Sequence, residues 1–268
     1  DFVPSRGLGD VYKRQLNVDN ICCVSKSQFG TSLTNVTFDL RQGEILGIGG
    51  VAGNGQDELF AVLSGEQFSQ HGSISLNGIN ITKFNPNQRR KIGLLSAPEE
   101  RLGHAAAPNM SLIENTLITA ENSQNLVSRG FIDWKKSKAF AEKVIKKFDV
   151  RTPGSQNTAG SLSGGNLQKF VIGREILQNP SVFIVNQPTW GVDAAAASSI
   201  RQALLTLSEN GAAILVISQD LDELLEISDQ FAALNGGALS RIEKTADLSM
   251  EQIGLMMGGA KDLEVHNV

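Results

Sequence analysis

The sequence has little cysteine or histidine and no long apolar run, and each shortage excludes a class of protein. The two cysteines, Cys22 and Cys23, are adjacent, a spacing that suits neither a disulfide nor a zinc site, so we expect a reducing compartment. The three histidines are isolated, which leaves no cluster of Cys and His for a cofactor. The longest apolar runs, such as residues 182–185 and 212–217, are far shorter than the roughly 20 residues of a membrane-spanning helix. Any membrane role is therefore expected to be peripheral.

The sequence also has fewer basic than acidic residues. Lys and Arg total 24 against 28 Asp and Glu, a net charge of -4, whereas binding to a phosphate backbone normally needs a basic excess. We therefore expect no nucleic-acid partner. Hydrophobic residues make up 41% of the 268 residues, enough for the core of one large or two small domains. Glycine, by contrast, is abundant with 27 residues and is clustered, and these clusters are where we expect the functional site.

The N-terminal segment does not fit the pattern of the rest. Residues 10–15 resemble the translation of a transposon-end sequencing adapter. We therefore expect residues 1–15 to be an artefact that lies outside the fold, with a disordered native N-terminus as the alternative. In either case we expect the natural polypeptide to begin further upstream.

Hydrophobic periodicity predicts an α/β protein with a doubly wound, mostly parallel sheet, because short apolar strands alternate with helical stretches. Strands are predicted at residues 16–21, 33–40, 44–48, 73–76, 79–81, 92–95, 182–185, 213–217 and 231–234. Helices are predicted at residues 57–63, 134–148, 194–208 and 220–227, with a helical block between residues 111 and 178. Asn77-Gly78 favours a tight hairpin turn, and Ser249 with Gln252 forms a capping box that opens a last helix.

A glycine loop between a buried strand and a helix is the first candidate site. Gly50, Gly53 and Gly55 have the spacing of a P-loop, whose backbone N–H groups wrap phosphate oxygens. Such a loop also occurs as a simple tight turn, so alone it is a weak signal. The candidate binding residues here are Gly50, Gly53, Asn54, Gly55, Gln56, Asp57 and Glu58.

A second glycine pair opens a later helix. Ser163, Gly164 and Gly165 combine a hydroxyl, glycine amides and a helix N-terminus, which together make an anion site. Leu162 and Gln168 belong to the same string. Downstream, one apolar strand ends in Asn186-Gln187 before Asp193, and the next ends at Gln219.

These motifs in this order resemble the nucleotide-binding domain of ABC transporters, from about residue 16 to residue 259. Residues 162–168 are similar to the signature motif of that family. Residues 53–56, 98–101, 187–193 and 211–218 are similar to the second ATPase half of fused importer subunits for simple sugars and nucleosides. The resemblance implies a P-loop NTPase core at about residues 16–96 and 179–245. It further implies a small antiparallel β subdomain, a helical subdomain at about 97–178 and a C-terminal helix at about 249–257.

The resemblance also marks departures from the catalytic residues of the family. Gln56 stands at the P-loop lysine, Asp57 at the Mg²⁺-binding hydroxyl, Asn186 at the Walker B aspartate, Gln187 at the catalytic glutamate, Gln219 at the switch histidine and Glu99 at the Q-loop glutamine. A neutral amide lacks the charge-assisted contact of lysine to phosphate, so affinity at this loop is expected to fall about tenfold to a hundredfold. Asp57 is at most a weak metal ligand. The signature residues and Asp193 are intact.

In the ABC family two such domains pair head to tail. The resemblance therefore implies that Ser163, Gly164 and Gly165 contact ATP on a partner P-loop, with Mg²⁺ mainly at the partner site, while the isolated half is inactive or very slow. The implied partners are an N-terminal ATPase domain of the same subunit, transmembrane permease subunits contacted by about residues 98–150 and, indirectly, a substrate-binding protein. The implied location is peripheral, on the cytoplasmic face of the plasma membrane.

Two other functions stay open. One is a soluble ABC-type ATPase of DNA repair or translation, which we expect to carry either a long coiled-coil insertion between the P-loop and the signature or a basic face. Only 108 positions separate Gly55 from Ser163, too few for such an insertion, and the charge balance is acidic. The other is a pseudo-ATPase that regulates without turnover. The transported substrate cannot be derived from this chain.

Overall fold

The computed structural model describes residues 14–259. Its strands are β1 (Arg14–Cys23), β2 (Leu33–Arg41), β3 (Ile45–Gly49), β4 (His71–Leu76), β5 (Ile79–Asn80), β6 (Leu94–Ala97), β7 (Val127–Ser128), β8 (Phe131–Ile132), β9 (Val182–Asn186), β10 (Ala213–Ser218), β11 (Gln230–Asn235), β12 (Ala238–Leu239) and β13 (Glu243–Lys244). Its helices are α1 (Gln56–Ser64), α2 (Pro86–Lys91), α3 (Leu112–Ala120), α4 (Trp134–Lys147), α5 (Gly164–Ile176), α6 (Ala194–Glu209), α7 (Leu221–Ile227) and α8 (Met250–Met257).

A mostly parallel sheet forms the centre of the molecule. Its strand order is β12-β11-β3-β10-β9-β6, with β13 paired to β11, and the five strands from β11 to β6 run parallel. Every residue of β3, β9 and β10 is buried, as expected for strands covered on both faces. This sheet confirms the predicted α/β class.

Alternate residues of the central strands pack into two hydrophobic clusters. Ile45 and Ile214 belong to the cluster that includes α3, α4 and α5, whereas their neighbours Leu46 and Leu215 belong to the cluster that includes α1. The alternation follows from the two-residue period of a strand. It fixes α1 on one face of the sheet and α5 on the other.

A second, antiparallel sheet has the order β2-β1-β4-β5. The predicted hairpin is confirmed, since Asn77 and Gly78 adopt φ of 48° and 81° between β4 and β5. Strand β1 begins at Arg14, inside the segment 1–15 that we set aside. The side chain of Gln15 accepts a hydrogen bond from Ala213 N at 3.2 Å, so Arg14 and Gln15 are part of the fold. Residues 1–13 lie outside the described residues.

The helical block is tied to the core by a buried charge network. Arg174 and Glu175 of α5 are buried, and Arg174 Nε donates to Glu175 Oε1 at 2.9 Å. Arg90 of α2 also pairs with Glu175, and the Arg174 Nη1 donates to the Asn115 carbonyl of α3 at 3.1 Å. The Glu175 carboxylate therefore joins α5 to α2, and its partner Arg174 joins α5 to α3.

Two features of this region differ from the sequence prediction. The strand predicted at residues 92–95 is β6 at Leu94–Ala97, because Ile92 is the C-cap of α2. Helix α2 itself was not predicted, although Asn85 and Gln88 form a capping box and Pro86 occupies the first helical turn. In the described part of the chain, no helix has both the length and the apolar character needed to cross a bilayer.

Candidate functional site

The glycine loop lies between β3 and α1, as the sequence predicts. Gly53 and Gly55 have φ of 83° and 108°, which explains glycine at these two positions. Neighbouring segments hold the loop in place. Thr31 Oγ1 donates to the Gly53 carbonyl at 2.5 Å, and the backbone N–H groups of Gly236 and Gly237 donate to Asn54 Oδ1 and to the Asn54 carbonyl at 2.8 and 2.9 Å. The loop motif alone gave no signal for Thr31 or the two glycines.

Gln56, at the lysine position, turns its side chain into the loop. Its amide Nε2 donates to the Val51 carbonyl at 2.9 Å, and its Oε1 accepts from Asn54 N at 3.0 Å. The side chain is only 5% exposed. A Cβ at Gly50 would lie 2.6 Å from Gln56 Nε2, so glycine there leaves room for the amide.

Asp57, Asn186 and Glu99 meet next to this loop. Asn186 Nδ2 donates to Asp57 Oδ1 at 3.2 Å, while Asn186 Oδ1 is buried without a hydrogen-bond partner among the described residues. Burial raises the pKa of Glu99, and the charge of Asp57 raises it further against the opposing effect of Arg101. Within residues 14–259, no group of three or more His, Cys, Asp and Glu side chains could hold a metal ion.

Glu58, the last candidate of this loop region, has a different partner. Its Oε1 accepts a hydrogen bond from Ser25 Oγ at 2.7 Å, which fixes the start of α1 to the segment after β1. The structure therefore gives Glu58 a contact outside the glycine loop.

The ends of β9 and β10 are joined by a side-chain amide. Gln187 Oε1 accepts from Gln219 N at 3.2 Å, and Gln187 has a φ of 51°, a left-handed conformation that is rare for a long side chain. The side chain of Gln187 is buried, whereas Gln219 is exposed. Next to them Ser218 Oγ donates to Glu223 Oε2 at 2.9 Å. Gln187 thus holds the two strand ends together but has no ionisable group.

The second anion site is the exposed N-terminus of α5. Ser163 is its N-cap residue, yet its side chain makes no capping bond and instead accepts from Asn166 Nδ2 at 2.8 Å. The first turn contains no acidic residue. A Cβ on Gly165 would lie 3.6 Å from Asp193 Oδ2, while Asp193 Oδ1 caps α6 by accepting from Ala196 N at 2.9 Å. Both Ser163 and Gly164 are exposed, so an anion can reach these N–H groups.

Arg101 connects α5, the helix that begins in the signature motif, to two other segments of the chain. No sequence motif indicates this role. Its Nε donates to Gln168 Oε1 at 3.0 Å, and Gln168 Nε2 donates to the Pro188 carbonyl at 2.8 Å. A Cβ on Gly164 would lie only 2.9 Å from Arg101 Nη1, so the guanidinium lies against the first turn of α5. Three segments distant in sequence are thereby joined.

A cleft of about 910 Å³ is lined by residues of α1 that follow the glycine loop and by residues of the signature motif. Asp57, Asn186 and Glu99 line it from the P-loop side, and Leu162 and Gly164 from the signature side. The candidates that do not line it are Gly50, Gly53, Asn54, Gly55, Gln56, Glu58, Ser163, Gly165, Gln168, Gln187, Asp193 and Gln219.

Comparison with known proteins supports the same family. The ABC transporter family matches residues 33–190. Two solved structures share the fold at 21% sequence identity. One is a nucleotide-free ATP-binding cassette from an ABC transporter, with a TM-score of 0.71 over 95% of this chain and 100% of that chain. The other is a dimeric, post-hydrolysis state of the ATP-binding cassette MJ0796 bound to ADP and Pi, with a TM-score of 0.72 over 86% and 98%.

Curated relatives are import ATP-binding proteins. The chain is 36% identical over 233 residues to the glucose import ATP-binding protein TsgD13 of Haloferax volcanii. It is 34% identical over 236 residues to the nucleoside import ATP-binding protein NupA of Lactococcus lactis subsp. cremoris, and 37% over 237 residues to the arabinose import ATP-binding protein AraG of Vibrio parahaemolyticus. These matches cover 86%, 88% and 88% of this chain but 42%, 47% and 45% of the relatives, so the chain spans less than half of their length.

The family match extends over more than half of the chain and includes the glycine loop, the signature motif and the end of β9. The fold agrees with that of solved ATP-binding cassettes over nearly the whole chain. The chain therefore belongs to the ABC transporter family, as an ATP-binding domain homologous to the ATP-binding proteins of sugar and nucleoside import.

Proposed function

We propose that this chain is one ATP-binding half of an ABC importer for simple sugars or nucleosides. In that assembly it supplies its signature motif to ATP held on a partner P-loop, while its own site is catalytically degenerate. The observation that carries the proposal is the contrast between the two glycine motifs. The α5 N-terminus is exposed and without an acidic cap, whereas the P-loop side has lost its lysine and gained Asp57.

The signature motif has the groups that a terminal phosphoryl oxygen requires. The Ser163 hydroxyl and the backbone N–H groups of Gly164 and Gly165 can donate hydrogen bonds, and the dipole of α5 favours negative charge at this end. Fixed donors of this kind stabilise charge that develops during phosphoryl transfer. ATP and Mg²⁺ on the partner P-loop would supply the reacting group, and this chain would bind and orient it.

Two of the positions that the resemblance assigns to catalysis carry amides in this chain. The amide of Gln187 cannot accept a proton from water, and Gln219 replaces an imidazole. The carboxyl group of Glu99 lies nearby, but burial and the charge of Asp57 both raise its pKa. We therefore expect the isolated chain to hydrolyse ATP very slowly or not at all, with activity only in the assembled transporter.

The proposed partners follow from the same assignment. The P-loop partner is an N-terminal ATPase domain of the same subunit, which agrees with relatives more than twice as long as the matched region. Permease subunits would contact the region of residues 98–150, and a substrate-binding protein would act through them. The chain would then lie peripherally on the cytoplasmic face of the membrane, and Asp57 stays a weak candidate for Mg²⁺.

The test uses the reconstituted transporter and a bulky substitution in the signature. Ser163→Glu should lower transport-coupled ATP hydrolysis at least tenfold, because the carboxylate fills the space for the phosphoryl group and repels its charge. Ser161→Glu is the matched control, since Ser161 is also exposed and lies two residues away. Co-purification with the permease should be unchanged in both. Unaltered hydrolysis in Ser163→Glu would instead favour a regulatory role without turnover.

A further inference from the structure

The glycine loop of this chain already contains a ligand, its own Gln56 side chain. A side-chain amide carries both donors and an acceptor, whereas lysine carries donors only. Gln56 uses both kinds of group, since Nε2 donates to the Val51 carbonyl and Oε1 accepts from Asn54 N. A lysine could make the first bond but not the second. The second bond consumes a loop N–H of the kind that binds phosphate oxygen.

The space inside the loop is filled as well. Gln56 is 5% exposed, and its amide lies against Gly50, where even one added carbon would be 2.6 Å from Nε2. A phosphate group and this amide therefore cannot occupy the loop together.

The loop cannot readily widen to admit both. Thr31, Gly236 and Gly237 hydrogen-bond to its outer side at Gly53 and Asn54. These contacts come from two separate segments. Nucleotide would have to displace the Gln56 side chain rather than move the loop.

The charges nearby oppose such displacement. Asp57 and Glu99 lie close enough for the charge of Asp57 to raise the pKa of Glu99. Asp57 is held in place by Asn186 Nδ2 at 3.2 Å. A triphosphate entering here would meet the carboxylates of Asp57 and Glu99, partly balanced by the guanidinium of Arg101 that lines the same cleft, and at the loop itself an amide in place of a lysine.

We propose that Gln56 acts as an internal ligand that closes the P-loop, so that this chain's own site takes up no nucleotide and only its signature motif contacts ATP. The proposal rests on the proposed function and makes it more specific. The P-loop residues thus do not fit Mg²⁺-ATP, and the loop serves as a rigid support for α1.

The first experiment measures binding of radiolabelled ATP to the 268-residue chain by equilibrium dialysis. All variants carry Ser163→Glu, so that the signature motif cannot contribute, and Asp57→Thr, which removes the repelling charge. Adding Gln56→Ala should tighten ATP binding about tenfold, because it frees the Asn54 N–H and empties the loop. Gln202→Ala, an exposed glutamine on α6, is the control and should change nothing.

Equal, weaker or undetectable binding after Gln56→Ala overturns the proposal, since a missing lysine alone predicts no gain from alanine. A second measurement is independent of nucleotide. Amide hydrogen exchange at Asn54 should be slow in the unmodified chain and at least tenfold faster in Gln56→Ala, and equal rates also overturn it. Neither result depends on the Ser163 experiment in the transporter, so the two proposals can fail separately.

Discussion

Amide side chains stand at four positions of the site where the resemblance places a charged or ionisable group. Each amide keeps roughly the size of the group it replaces and can still hydrogen-bond. Gln187 accepts from Gln219 N, and Asn186 donates to Asp57. At the residue scale, these amides form hydrogen bonds within the site without the charge or the titratable group that the resemblance places there.

A buried carboxyl group lies next to these amides and predicts a pH dependence of stability. Burial raises the pKa of Glu223 above its ordinary value of 4.5, against the opposing effect of the Thr189 and Ser218 hydroxyls. The folded chain thus retains this proton to higher pH than the unfolded chain. The resulting stabilisation is complete below pH 4.5 and is lost as pH rises through the raised value.

Glu223→Gln should remove that loss, because an amide does not titrate. The free energy of unfolding, measured by urea denaturation between pH 4.5 and 8, should then fall less steeply with pH than in the unmodified chain. Asp222→Asn is the control, since Asp222 precedes Glu223 on α7 and is exposed. An identical slope in all three proteins would show that Glu223 does not carry the effect.

At the scale of elements, a network of hydrogen bonds around the buried carboxylate of Glu175 links α2, α3 and α5. Glu175 receives hydrogen bonds from Arg90 and Arg174, and Gln178 Nε2 donates to its Oε2 at 3.1 Å. Residues 90 and 175 are 85 positions apart, so the network closes a long loop of chain. A buried charge left without its partner is strongly destabilising.

Glu175→Ala should therefore lower the free energy of unfolding by about 3–5 kcal/mol, because Arg174 would stay buried without a counter-charge. Urea or thermal denaturation followed by circular dichroism measures this. Glu142→Ala removes an exposed ion pair with Lys138 on α4 and should cost less than about 1 kcal/mol. Similar losses for the two variants would contradict the prediction.

At the scale of the whole molecule, the contacts of Arg101 join segments that belong to different parts of the fold. The segment after β6 carries Arg101, α5 carries Gln168, and the loop after β9 carries Pro188. These two hydrogen bonds contribute to the position of the signature motif relative to the core, together with the apolar packing of α5. Small displacements of a binding group can cost a large factor in rate.

Arg101→Ala should therefore lower kcat of ATP hydrolysis in the assembled transporter about tenfold with a much smaller change in KM, because orientation is lost more than binding. Arg101→Lys should restore part of the rate by again donating to Gln168. Lys143→Ala, an exposed basic residue on α4, should have no effect. A change in KM alone, or no rescue by lysine, would argue against a positioning role.

Local sequence patterns are sufficient to predict the class of the fold and the positions of the motifs. Strand and helix periods, the Asn77-Gly78 turn and the glycine spacings are local patterns, because each depends on residues close together in the chain. The same local signals at Asn85 and Gln88 were sufficient for α2, although we did not predict it.

The contacts of the site side chains, by contrast, follow from the three-dimensional arrangement of the chain. Side-chain rotamers and neighbouring residues set the orientation of the Gln56 side chain and the contact between Asp57 and Asn186. They also set the hydrogen bonds that run from Arg101 through Gln168 to Pro188. Asp57 and Asn186 are 129 positions apart, and Gly236 is 182 positions from Asn54. No short-range pattern encodes such pairs, because they form only when the sheet brings the ends of its strands to one edge.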